Sequence, residues 1–283
     1  MAIQSSKNPA AAMDTNNWVE FNKGDYHIRA LAPFERFRGV DIPWENRADL
    51  NASTERVVKA SRSRKVVKLA AGQYGLPVEV YVKRYNFRNW FRFLLRAGRR
   101  TRSREEMDLG WELIAHGIKT PRPVWLAESR GAFSSNSLIA TEALPDAESA
   151  LERWLRLLTE PARTELLVAL GQFTGQVHDA GFFHDDYKPA HLLLFPDRPS
   201  TPREFYLIDL LGGSFPAILS EMRRARNLYQ LIRAFCPTKP GFDYHFKPAH
   251  RNILLEAYAG SPGETEKWSN LVDRVGRIKG RKV

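Results

Sequence analysis

The alternation of apolar and polar positions divides the chain into a strand-rich first half and a helix-rich second half. Val78-Glu79-Val80-Tyr81-Val82-Lys83 alternates strictly, which predicts a strand with one buried face. Arg56-Val57-Val58-Lys59-Ala60 and Lys65-Val66-Val67-Lys68-Leu69 predict two more strands, and Gly72 and Gly75 punctuate the connection to the alternating run. A helix is predicted over residues 103–116, stopping at Gly117, with Glu106, Leu109, Gly110 and Leu113 on one face. Residues 121–128 and 137–141 predict further strands. The period then lengthens: Leu166, Leu170, Phe173 and Val177 recur at i, i+4, i+7 and i+11 in a helix that ends at Gly181. Two short apolar strands follow, the second running through Phe205-Tyr206-Leu207-Ile208 and ending in Asp209. Helices near residues 217–235 and 248–259 complete the predicted elements. Residues 18–50 mix aromatic and charged side chains without a clear period and are expected to form an irregular or partly helical leader.

This pattern predicts an α+β chain of two lobes. Residues 1–17 form a loose polar tail, 18–141 a β-rich N-lobe and 142–283 a mainly helical C-lobe, with residues 142–146 as the hinge. No internal repeat is present, and residues 196–202 read as a Pro-, Ser- and Thr-containing loop.

Composition narrows the function. The single cysteine, Cys236, excludes a disulfide framework and points to a reducing compartment. No apolar run approaches a membrane span, and the N-terminal tail lacks the apolar core of a secretory signal. The formal charge is +11, so an anionic partner is expected: nucleic acid, an acidic membrane surface or a phosphorylated substrate. The charge is uneven, with nine basic and no acidic residues from Lys83 to Arg104. Within that run Arg88, Arg92 and Arg96 line one helical face and Trp90, Phe91, Leu94 and Leu95 the other, a basic amphipathic helix with aromatic anchors.

The chemistry concentrates in His184-Asp185-Asp186-Tyr187-Lys188-Pro189-Ala190-His191 and in the downstream Leu207-Ile208-Asp209. A turn carrying His-x-Asp, a metal-competent side chain five residues later and a strand ending in Asp make the order used for phosphoryl transfer. Asp186 is the candidate catalytic carboxylate, which orients an attacking hydroxyl and takes its proton. Asp209 is the candidate metal ligand, because a carboxylate at the end of an apolar strand costs desolvation unless it is paired or metal-bound. Lys188 is placed to reach the transferred phosphoryl oxygens. His184 is read as a structural group rather than a base. His191 is either a metal ligand or a group bonding Asp186 or phosphate, and its imidazole suits Mn²⁺ better than Mg²⁺. Lys83, ending its strand, and Glu106, on the apolar face of the next helix, are candidates for an ion pair that aims the ammonium at nucleotide phosphates; Glu105 competes with Glu106. Glu142 and Leu144, in the hinge, are the remaining candidate nucleotide contacts. No glycine-rich phosphate loop is present, and Ser61-Arg62-Ser63-Arg64 stands where one is expected.

Together these residues resemble the lipopolysaccharide kinase family, the Kdo/WaaP type, within the protein-kinase-like superfamily. Val80-Tyr81-Val82-Lys83-Arg84-Tyr85 is similar to its nucleotide-lysine strand, and residues 103–120, closing in Gly-Ile-x-Thr-Pro, to its Glu-bearing helix and the turn after it. Residues 184–194 are similar to its catalytic loop and Leu207-Ile208-Asp209 to its metal strand. The resemblance spans roughly residues 55–235, and its order and spacing are more specific than any single motif. His191 resembles the inner-core heptose kinases, where Kdo kinases and protein kinases carry Asn. Lys188 is closer to Ser/Thr protein kinases, and Asp209-Leu210-Leu211-Gly212 departs from Asp-Phe-Gly by one residue.

The resemblance implies a protein-kinase-like fold that uses ATP with Mg²⁺ or Mn²⁺ to phosphorylate a heptose or Kdo hydroxyl of the lipopolysaccharide inner core. It implies a cytoplasmic protein, peripheral on the inner face of the inner membrane, with the inner-core glycan or its lipid-linked precursor and an anionic membrane surface as partners and no nucleic acid. Each Lys or Arg at such a surface contributes about 1 kcal/mol. A protein kinase on the same fold, and a pseudokinase or anionic-surface module without catalysis, are the competing readings.

Overall fold

The structure is a computed structural model that describes residues 17–42, 44, 56–60, 64–85, 100–130, 136–236 and 244–279. The sequence-predicted basic amphipathic helix, most of Ser61–Arg64 and all but the last residue of the N-terminal tail lie outside the described residues. The chain divides into two compact units: Met1–Arg104 with Pro123–Glu142, and Glu105–Arg122 with Ala143–Val283.

The first unit is one antiparallel sheet of seven strands: β1 (Trp18–Lys23), β2 (Tyr26–Leu31), β3 (Arg56–Ala60), β4 (Arg64–Leu69), β5 (Val80–Tyr85), β6 (Pro123–Ser129) and β7 (Ser137–Glu142), in the order β1-β2-β6-β7-β5-β4-β3. The leader expected to be irregular or partly helical is instead the β1–β2 hairpin, from Trp18 opposite Leu31 to Lys23 opposite Tyr26. Its two-residue turn is Gly24-Asp25, and Gly24 supplies the positive φ (55°) that such a turn requires. Short 3-10 turns at Ala32–Phe34 and Gly39–Asp41 follow it. Strand β5 starts two residues later than its alternation predicts and buries Val80, Val82 and Tyr85.

In the second unit the helices are α1 (Arg102–Ala115, whose first residues belong to the first unit), α2 (Ala150–Arg156), α3 (Glu160–Asp179), α4 (Glu221–Ala234), α5 (Pro248–Ala259) and α6 (Pro262–Ile278). Short strands accompany them: β8 (Glu148–Ser149), β9 (Phe183–His184), β10 (Leu192–Leu194), β11 (Tyr206–Leu207) and β12 (Gly213–Ser214). Helix α6 is not among the predicted elements, because only Trp268, Val272 and Val275 mark its buried stripe within a strongly charged segment. Its start is punctuated by Ser261-Pro262. Helices α3 and α5 approach so closely at Gly171 that a Cβ there would stand 2.4 Å from the Leu254 carbonyl oxygen. Only hydrogen fits, so the contact fixes how the two helices cross.

The stripe of α3 that carries Gly171 also carries Thr174 and His178, both fully buried. A buried imidazole must satisfy both ring nitrogens. The Tyr258 hydroxyl of α5 lies 2.9 Å from His178 Nδ1 and accepts from Arg224, so its own proton points to that nitrogen. His178 Nε2 then carries the hydrogen and donates to Asn227 Oδ1 of α4 at 3.3 Å. Arg224 is held in turn by Asp179 at 3.0 Å. Three helices are thus tied by one polar chain that ends on Asn227.

Burial lowers the His178 pKa to about 3. Its folded value lies below its unfolded value near 6.5, so the unfolded chain binds the extra proton as pH falls. Stability is therefore lost progressively below about pH 6.5, with a limiting slope of about 1.4 kcal/mol per pH unit for each such histidine. Denaturation midpoints measured from pH 8 to 5 are expected to fall in that window, and more shallowly in His178→Gln. Equal slopes in the two proteins would mean that His178 titrates alike folded and unfolded.

Candidate active site

The catalytic-looking loop hangs from Asn227. Its Oδ1 accepts from the His184 backbone N–H at 3.2 Å and its Nδ2 donates to the His184 carbonyl at 2.5 Å. A buried amide left unpaired costs about 1–3 kcal/mol, so this clamp holds β9 in one position. The fully buried His184 ring then spans the site. The Asp186 N–H donates to Nδ1 at 3.1 Å, and Nε2–H donates to the Asp209 carbonyl at 2.9 Å. Both bonds are satisfied only by the neutral Nε2–H tautomer, and burial lowers the pKa in the same direction. One side chain therefore fixes the backbones that carry both candidate carboxylates.

Between these anchors the loop alternates inward and outward. Tyr187 is fully buried, and its hydroxyl meets Thr174 at 3.2 Å. Thr174 already donates to the Leu170 carbonyl, so Tyr187 is the donor, and burial raises its pKa. The flanking Asp186 and Lys188 consequently face outward. Lys188 Nζ stands 2.5 Å from Asp186 Oδ2. A 3-10 turn (Pro189–His191) brings the chain back, and the His191 carbonyl accepts from the Ile208 N–H at 2.9 Å, which sets Asp209 beside His191.

Asp209 is not the end of a strand as the sequence predicts. Strand β11 stops at Leu207, and Asp209 has a left-handed backbone with φ 57°. That conformation is uncommon outside glycine, and here the bond from His184 to its carbonyl holds it. Three residues on, the carbonyl of Gly212 (φ 91°) accepts from the Asp185 N–H at 3.2 Å. A Cβ on Gly213 would meet the Phe182 ring at 2.3 Å, so this second Gly lets β12 lie against β9.

His191 Nδ1 lies 3.0 Å from the Asp186 carbonyl and must donate to it. In the neutral ring Nε2 then carries only a lone pair. That lone pair faces Asp209 Oδ2 at 3.7 Å and Asp186 Oδ2 at 3.9 Å. Burial, then Lys188, lowers the His191 pKa against the pull of the carboxylates and keeps the ring neutral. A lone pair set against two carboxylates repels them unless a cation sits between, so this nitrogen–oxygen donor set fits a divalent ion. Among the described residues no group of three or more His, Cys, Asp or Glu side chains is arranged to hold a metal alone. An ion that completes its shell with phosphate oxygens and water needs no such cage.

The remaining candidates are spread over the two units. Lys83 lies mid-sheet in the first, opposite Val66 and Ile139. Glu106 lies in the second, 3% exposed, while Glu105 is half exposed. Glu142 ends β7 opposite Val80 in the first unit, and the half-buried Leu144 lies in the second. Sequence reasoning missed Asn227, His178 and Gln230, whose amide donates to the Asp185 carbonyl. The signal for Asn227 and His178 is a polar residue inside an apolar helical stripe, which demands a buried partner.

Comparison with known proteins identifies the fold and the family. A solved structure of WaaP in complex with acyl carrier protein superposes with a TM-score of 0.60, covering 89% of this chain and 97% of that one at 21% identity. The fold is therefore protein-kinase-like, with an antiparallel-sheet region and a helical region. The EKC/KEOPS complex subunit bud32 of Aspergillus clavatus is 29% identical over 143 residues. That match covers 46% of this chain and 46% of the relative, so the chain spans about half the length of this curated relative. The model of the lipopolysaccharide kinase (Kdo/WaaP) family matches residues 49–258, from before β3 to the end of α5, and includes the whole His184–Asp209 constellation. The chain belongs to the lipopolysaccharide kinase (Kdo/WaaP) family.

Proposed function

We propose that this protein is an ATP-dependent kinase that phosphorylates a heptose or Kdo hydroxyl of the lipopolysaccharide inner core. The observation that carries this reading is the single neutral imidazole of His184 holding Asp186 and Asp209, with His191 between their carboxylates. Asp186 accepts the hydrogen of the attacking sugar hydroxyl and takes its proton as the oxygen bonds to the γ-phosphorus, while the bond from that phosphorus to the bridging oxygen breaks and ADP leaves. Lys188, on the same carboxylate, adds positive charge where the transferred phosphoryl oxygens gather charge. Asp209 and His191 hold the divalent ion, which when bound neutralises charge on the nucleotide phosphates. Lys83 fixes the phosphates, Glu106 supports that role, and Glu142 and Leu144 contact the nucleotide.

Heptose is the favoured acceptor, because His191 stands where the Kdo kinases carry Asn. The protein works at the cytoplasmic face of the inner membrane, docked through the basic segment between Lys83 and Arg104. No helix among the described residues is long and apolar enough to cross a membrane. Acyl carrier protein, held by WaaP in its solved complex, is a second partner for this chain.

Phosphate transfer from ATP to deacylated inner-core oligosaccharide is expected to fall at least 100-fold in Asp186→Ala, the usual loss on removing a general base. Full transfer by that variant would refute the assigned role. A second outcome concerns the ion. Replacing the imidazole nitrogen by an amide oxygen in His191→Asn is expected to raise the ratio of Mg²⁺- to Mn²⁺-supported activity. An unchanged ratio would place His191 outside the metal's coordination.

A further inference from the structure

The segment that leaves Asp209 turns back along the strand entering the catalytic loop, with Gly213 and Ser214 paired to His184 and Phe183. It then exposes Ile218 (82%) and enters α4 at Ser220, whose first turn carries Met222 (36% exposed). Arg226 lies one turn on from both Met222 (i+4) and Arg223 (i+3), so it neighbours each of them on the helix surface. The guanidinium groups of Arg223 and Arg226 lie over the Phe183 ring at 5.6 and 5.5 Å. Phe183 directly precedes His184, so these cations stand against the catalytic loop.

Their charge is not used up within the described residues. Arg224, between them, is committed to Asp179 and Tyr258. Arg223 forms no ion pair among the described residues. Arg226 meets Asp185 at 3.5 Å, too far for a good hydrogen bond, and its Nε is buried with no partner among them. Neutral stacking on Phe183 keeps both guanidinium planes ordered without neutralising them.

This arrangement has a purpose in a site lined by carboxylates. Asp185, Asp186 and Asp209 repel an anionic acceptor from the position where its hydroxyl must stand. Guanidinium groups beside them offset that repulsion and bind carboxylate or phosphate in two-pronged fashion. Ile218, four residues before Met222, adds exposed apolar surface where the segment enters α4.

Resting on the kinase reading, we propose that Arg223 and Arg226, with Ile218 and Met222, form the acceptor-binding surface for an anionic, acyl-anchored glycan. Carboxylate or phosphate groups of the glycan sit on the guanidinium pair. Acyl chains lie along Ile218 and Met222. The cations thus select an acidic sugar acceptor, and the apolar pair selects the lipid-linked form over a free saccharide.

The test is equilibrium binding to the full-length chain of two fluorescent probes: deacylated inner-core oligosaccharide, and its acylated parent in neutral detergent micelles. Arg223→Ala is expected to weaken both about tenfold or more, the loss of a charge-assisted contact. Ile218→Ser combined with Met222→Ser is expected to weaken only the acylated probe. Both sites are exposed, and unchanged melting temperatures confirm that the variants fold. Wild-type protein that binds neither probe, or variants that bind both within twofold of wild type, would overturn the proposal. So would loss of acyl carrier protein capture in Arg223→Ala with both probes unaffected, since the surface would then belong to a protein. Binding is read without turnover. A chain that binds both probes through this surface but transfers no phosphate would refute the kinase reading and leave the surface standing.

Discussion

The buried, neutral imidazole of His184 is the interaction on which the site depends. It accepts from the Asp186 N–H and donates to the Asp209 carbonyl, so one planar ring sets the spacing of two backbone segments 23 residues apart in sequence. Protonation would replace an accepting nitrogen by a donor facing another donor, and burial makes that charge costly. The left-handed backbone of Asp209 is sustained by the same bond. Strain there is supported by over-determined surroundings rather than by local preference.

The rest of the helical unit reads as a mount for that ring. Asn227 grips the His184 backbone on both sides, His178 orients Asn227, and Tyr258 and Arg224 orient His178. The chain of bonds crosses α3, α4 and α5, and the close approach at Gly171 sets how α3 and α5 cross. At the front, the outcome is electrostatic. Asp186, Asp209 and the bare Nε2 of His191 converge, and Lys188 stands against Asp186. A site with that balance favours a divalent ion and phosphate together more than either alone, which is the charge economy of phosphoryl transfer.

Much of this was legible in the residues. Strict alternation in residues 78–83 marks β5, though not its start, and the 3.6-residue recurrence from Leu166 to Val177 marks α3. The His184–His191 stretch and Leu-Ile-Asp pointed to a common site because both are short motifs with local chemistry. The β1–β2 hairpin was not read because its alternation is mixed with charges and its only sharp signal is Gly24-Asp25. Helix α6 was not read because three apolar residues carry its whole buried stripe. Asn227 and His178 were hidden for a different reason: their partners come from other helices, and a pattern along one helix does not show what lies opposite. The left-handed turn at Asp209 is likewise a tertiary effect, since the apolar run before it predicts continued strand.

The most direct test of the account is the protonation pattern of His184 by ¹⁵N-histidine NMR of the full chain at pH 7. The account predicts a neutral ring with its hydrogen on Nε2, and an Nδ1 shift typical of an acceptor coupled to the Asp186 amide. A doubly protonated ring, or a hydrogen on Nδ1, would contradict it. Asp186 and Asp209 would then be held by something other than this imidazole.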